Sequence, residues 1–224
     1  MANKSGNAYG LTILFPIRPD VPAEYPPNLE GFKGQTNSAC IRYLLQDVFR
    51  VSKDSPMARV PNTYLSRFYI LQDVGYQGFP AILEHLKSEY MVCEINFHGD
   101  LEPYLAGMWA AVQPEIMALL QHCWGSETVR DSASFIVYIK KCQIDTTFFF
   151  VGSSDDSLAA QLKNLYLKQE FSKFVYANQG RTKEEIQTAF AEFELRTQPM
   201  NTDAPTWVPG AYSLEDVVKG AGNA

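Results

Sequence analysis

The sequence predicts an α+β protein in which helices cover one face of an antiparallel sheet. Three observations carry that expectation. Runs rich in aromatic and branched residues alternate their apolar side chains at period two, and longer runs between them repeat apolar residues at helical spacing. Of 224 residues, 46% are hydrophobic and 13% aromatic, which supports a large core and excludes a disordered chain.

The first strand is read at residues 9–17, where Leu11, Ile13 and Phe15 alternate with Gly10, Thr12 and Leu14. Pro16, Pro19, Pro22, Pro26 and Pro27 then end the ladder, because proline donates no backbone hydrogen bond. Asn37 or Ser38 caps a helix running to about Val51, with Ile41, Leu44, Leu45 and Val48 on one stripe. After a polar break at 52–61, TYLSRFYILQDV is a strand by residue type. Pro80 opens a short helix, PAILEHLKS, and a third strand, EYMVCEINF, ends at the turn formed by His98 and Gly99.

Residues 100–122 form a long helix with Leu101, Leu105, Trp109, Val112, Ile116, Leu119 and Leu120 inward and Gly125 just past its end. Pro114 predicts a kink or break inside it. In DSASFIVYIKKCQI, Phe135, Tyr138, Ile139 and Cys142 fall at i, i+3, i+4 and i+7, so the segment is a helix capped by Asp131. TTFFFV, residues 146–151, is the fourth strand. Two more helices follow: 158–178, closed by Gly180, and 183–195, opened by the capping box Thr182-x-x-Glu185. From Thr197 the chain turns polar. A brief helix at 214–218 is expected there, with Trp207 and Tyr212 docking the tail loosely unless it stays mobile.

Strand, helix, strand, strand, helix, strand is the order of a ferredoxin-like βαββαβ sandwich with inserted short helices and a helical C-terminal extension. Residues 1–152 are assigned to that domain, 153–196 to a helical extension packed on it, and 197–224 to a polar tail. The sheet would offer its second face to a dimer partner, to further helices or to a ligand.

A net charge of −6, from 19 Lys plus Arg against 25 Asp plus Glu, provides no basic field for a phosphate backbone. Nucleic acid is not an expected partner. Every apolar run is interrupted well short of the roughly 18 residues a membrane helix needs, and MANKSGNAYG carries no signal-like stretch. A cytoplasmic protein is expected, with Cys40, Cys93, Cys123 and Cys142 as separate reduced thiols.

Strand alternation assigns Leu65, Arg67, Tyr69 and Leu71, beside Tyr90, Val92, Glu94 and Asn96, to the second face. One arginine, one glutamate, two tyrosines and one asparagine among aliphatics suit a small-molecule pocket with a few convergent polar groups. Arg67 would anchor a carboxylate or enolate, Tyr69, Tyr90 and Asn96 would orient it, and Glu94 or His122 would serve as base. The same Arg67 and Glu94 also read as a cross-strand ion pair inside an interface. His122 reads as a cation at a helix C-terminus, or as a haem ligand or general base beside Cys123. GxSxG, GxGxxG and P-loop patterns are absent, so the sequence supports neither hydrolase chemistry nor nucleotide cofactors bound in those ways.

The stretches NTYLSRFYILQDV, YMVCEINFHGDLEPYLAGMW and QHCWG resemble, in that order, those of a bacterial group of ferredoxin-like proteins related in architecture to the dimeric α+β barrels. That superfamily includes haem-dependent peroxidases, small cofactor-free monooxygenases and members with no known activity, so the resemblance implies a homodimer and either oxidoreductase chemistry, with haem as a possible cofactor, or none. No haem-ligand motif matches position by position, and no residue role is transferred. The expectation is a protein that binds a small apolar or aromatic ligand on the open face, acting on it by an oxidative or proton-transfer step. The alternative is a non-catalytic interaction protein that uses this face as a dimer or partner interface.

Overall fold

A computed structural model describes residues 3–22, 31, 34–50, 55–75, 78–79, 85–152 and 155–208. The chain divides into two compact units at Asp155 and Asp156. The first is α+β. Its strands are β1 (Lys4–Ser5), β2 (Ala8–Pro16), β3 (Thr63–Leu71), β4 (Tyr90–His98) and β5 (Gln143–Ile144), and its α-helices are α1 (Asn37–Tyr43), α2 (Leu101–Leu120) and α3 (Ser132–Cys142).

All strand pairs are antiparallel. β2 pairs with β4 along its whole length, from Ala8 opposite His98 to Pro16 opposite Tyr90, and β3 pairs with the other edge of β4. β1 and β5 share the remaining edge of β2, giving the order β1-β2-β4-β3 with β5 also on β2. Alternation works as the sequence predicts: Leu11, Ile13, Phe15, Met91, Cys93, Ile95 and Phe97 are buried in one cluster with Leu105, Met108, Leu120, Phe135 and Ile139 from the helices. Phe97 lies between two rings, with centroids 5.1 Å from Tyr9 and 3.7 Å from Tyr104. Each such side chain contributes about 1.5–3 kcal/mol by leaving water.

Local chemistry fixes the helix ends. Asp131 Oδ1 accepts from the Ser134 N–H at 2.8 Å, and the Asp131 N–H donates to Ser134 Oγ at 3.0 Å, closing a capping box on α3. In α2 the break falls at Val112, with φ −143° and ψ 28°, two residues before Pro114. The proline ring crowds the carbonyl four residues earlier and supplies no N–H, so the turn ahead of it cannot stay helical.

Three elements differ from expectation. The helix expected to reach Val51 is α-helical only to Tyr43, then widens into a π-helical turn at Leu44–Val48. Of the short helix expected at 80–88, residues 80–84 lie outside the described residues and 85–88 are not helical; the Leu86 N–H donates to Asp73 Oδ1 instead. Residues 146–151 form no strand, and side chains take two of the N–H groups that a ladder would use. The Thr146 N–H donates to Asn3 Oδ1 at 2.7 Å, and the Val151 N–H to Ser5 Oγ at 3.1 Å.

The second unit is a helical hairpin of α4 (Leu158–Ala177) and α5 (Lys183–Thr197). Thr182 and Glu185 cap α5 reciprocally, and Phe174 packs on Phe193 with centroids 5.2 Å apart. The helix expected at 214–218 and the docking residue Tyr212 lie outside the described residues. No helix among the described residues is long and apolar enough to cross a membrane.

Candidate functional site

The face of the sheet away from the core is built in rows by strand register. Gly10, Asn96 and Leu65 form one row, and Thr12, Glu94 and Arg67 the next. Leu14, Val92 and Tyr69 form a third, followed by Pro16, Tyr90 and Leu71. Val92 is only 2% exposed, although it lies outside the main core cluster.

Arg67 and Glu94 are opposite one another. Arg67 Nε donates to Glu94 Oε2 at 2.8 Å, Nη2 donates to the same oxygen, and Tyr69 Oη donates to Oε1 at 3.2 Å. The guanidinium also lies over the Tyr69 ring, 5.7 Å from its centroid. Hydrogen bonding to Glu94 raises the pKa of Arg67, and burial, reinforced by Glu94, raises that of Tyr69. The trio is compensated in charge. An anionic ligand at Arg67 has to displace Glu94, whereas an uncharged ligand does not.

Beside this pair is a cleft of about 210 Å³ lined by Asn96, Glu94, Arg67, Leu65 and Phe149. Its wall is Phe149, whose ring lies where a side chain on Gly10 would be: a Cβ built there meets ring atoms at 2.8–3.1 Å. Sequence reasoning missed Phe149. The available signal was Gly10, a glycine inside a strand pattern, which marks close approach of another group. Asn96 contributes a side-chain amide with no hydrogen-bond partner among the described residues.

Of the residues singled out in the sequence, Arg67, Tyr69, Glu94 and Asn96 are thus brought together. Tyr90 shares their face but lies two rows from Glu94 and lines no part of the cleft. His122 is elsewhere: it is 2% exposed at the end of α2, with Nδ1 2.7 Å from Asn37 Oδ1. Burial, reinforced by the charge of Arg18, lowers its pKa to about 4, so it is neutral at pH 7 and not the helix-end cation expected. Among the described residues, its ring lines neither this cleft nor the three other cavities of the fold. Among the described residues no three His, Cys, Asp or Glu side chains gather as a metal site.

Comparisons with protein-family models, with curated proteins and with solved structures found no match. The likeness to dimeric α+β barrels therefore assigns no role to any residue.

Proposed function

We propose that the chain binds a small, uncharged, largely apolar molecule in the open-face cleft, on a scaffold of ferredoxin-like type. The scaffold reading rests on the order β5-β2-β4-β3 with antiparallel neighbours, in which β4 lies between β2 and β3, and β2 between β4 and β5. One observation carries the ligand reading: Phe149 turns back over Gly10 and leaves an aromatic wall facing a row that holds the Asn96 amide, which has no side-chain hydrogen-bond partner among the described residues. A planar molecule with one amide or carbonyl group meets both, its flat body on Phe149 and Leu65 and its polar end on Asn96. Glu94 is held by Arg67 and Tyr69. The reading is accordingly one of binding, with no proton-transfer step assigned.

Benzamide, titrated into the full chain and followed by amide NMR shifts, tests it. Saturable shifts centred on Gly10, Leu65 and Asn96 are expected, with affinity falling about tenfold in Asn96→Ala or Phe149→Ala. Shifts that do not saturate, or that survive both substitutions, would sink the proposal.

A second reading is favoured by a separate observation. Phe148 is 81% exposed and Phe150 71%, on either side of Phe149 in sequence, and Leu65 on the open face is 59% exposed. A homodimer through this face would cover them, and light scattering at rising concentration reads it directly. Mass doubling in the parent but not in Leu65→Glu supports that reading, and a monomer throughout rejects it.

A further inference from the structure

The helical hairpin of the second unit leaves an apolar stripe in contact with solvent. Phe174 and Phe193 meet between its helices, and Phe171 and Phe190 each pack on both of them. Phe171 and Phe190, with Val175 and Ile186 one turn along each helix, are nonetheless 38–49% exposed. By helical spacing Glu170, which joins the helices through its ion pair with Arg196, turns to the opposite side of the Phe174–Phe193 contact.

Charge continues the stripe. Lys168, Phe171 and Val175 fall at i, i+3 and i+7 on α4, and Ile186, Phe190 and Glu194 at i, i+4 and i+8 on α5, so each apolar pair is extended by one exposed charge. Because the two helices run antiparallel, both charges come at the end away from the turn at 178–182, and neither has an ion-pair partner among the described residues. The helices also differ in sign: α4 carries three lysines against one glutamate, and α5 four glutamates against one lysine and one arginine.

Two helices cover only one side of each other, whereas four enclose a core. A two-fold axis along the hairpin sets α4 of one copy antiparallel against α5 of the other and brings each Lys168 level with Glu194 of the second copy. An axis across the helices would set α4 on α4 and turn both charges onto the apolar end beside the turn. The charge pattern therefore fits a second copy of this chain in one orientation.

We infer that this hairpin face is a homodimerisation surface, on which two copies pair as a four-helix bundle with Phe171 and Phe190 in the shared core and two Lys168–Glu194 pairs at its rim. It belongs to the second unit and shares no residue with the open face of the sheet.

Light scattering on the full chain is expected to show mass doubling that Leu65→Glu leaves unchanged. Lys168→Glu and Glu194→Lys, at exposed positions whose side chains the fold does not use, should each raise the dimer dissociation constant about tenfold by setting like charges across the interface. Mixed in equal amounts, the two variants form a heterodimer with both opposite-charge pairs restored, and its dissociation constant should return to that of the parent. A parent that stays monomeric, single variants that dimerise like the parent, a mixture no tighter than its components, or doubling abolished by Leu65→Glu would each overturn the inference.

Discussion

His122 joins the end of α2 to the start of α1 through a 2.7 Å hydrogen bond from Nδ1 to Asn37 Oδ1. The direction follows from the amide. Asn37 Nδ2 donates to the carbonyls of Arg18 and Asp20, at 3.3 and 2.6 Å, which leaves Oδ1 to accept and places a proton on Nδ1. Burial and Arg18 lower the imidazole pKa from 6.5 to about 4. Above pH 6.5 neither the folded nor the unfolded chain holds a second ring proton, and the contribution is fully present. Between 6.5 and about 4 only the unfolded chain takes that proton up, so stability falls with pH by a total of about 3 kcal/mol. In His122→Asn, whose amide can replace the Nδ1 donor without titrating, that part of the slope should vanish. Urea unfolding at pH 7 and pH 4 measures it; identical losses in parent and variant would assign the slope to other groups.

Gly10→Ala is expected to expel Phe149. An ideal Cβ at position 10 would lie 2.8 Å from Phe149 Cδ2, closer than real contacts come, and strand pairing with Asn96 holds the backbone. The ring must swing out. Overpacking of this kind costs about 1–3 kcal/mol, and it should also expose the segment around Phe149 to chymotrypsin. Because one ring accounts for both effects, Phe149→Ala should largely remove the further cost of Gly10→Ala. Additive losses in the double variant would show that the two residues do not meet.

The open face was legible because period-two alternation and the paired strands admit one consistent register. Arg67 opposite Glu94 and Tyr69 opposite Val92 are consequences of that period. Phe149 was not legible. Its run has the composition of a strand, but its segment is held by Asn3 and Ser5, more than 140 residues away, which no local window includes. Pro114 announced a break in α2, which the structure places at Val112. His122 was placed correctly at a helix end and wrongly in charge, since its burial depends on Asn37, 85 positions earlier.

Lys163 is expected to hold the second unit together. It is 2% exposed, and Nζ donates to the carbonyl oxygens of Thr197 at 2.6 Å and Pro205 at 2.8 Å, beside the Tyr166 ring. Thr197 ends α5, where carbonyls lack partners within the helix and the dipole favours a cation. Burial lowers the lysine pKa, and the two carbonyls retain the charged form. Lys163→Met keeps the stem and removes both donors, for a loss of about 3 kcal/mol. Hydrogen exchange over residues 158–205 reads this locally: protection there should fall while β2 and β4 are unchanged. Undiminished protection would mean that the phenylalanine packing suffices without the lysine.

The thiols should be inert in the folded protein. Cys40, Cys93 and Cys123 are buried and Cys142 is partly so, with none in a disulfide. Burial raises all four thiol pKa values, that of Cys123 to about 12 and that of Cys93 further. Only the thiolate attacks, and a rise of that size from 9.0 leaves about a thousandfold less of it at pH 8. With an aromatic disulfide reagent at pH 8, Cys142 is expected to react slowly and first. The other three should follow at the rate at which the fold opens, and all four should react at once in concentrated guanidinium. Rapid native reaction of more than one thiol would contradict the burial of the α1 and β4 cysteines on which this core depends.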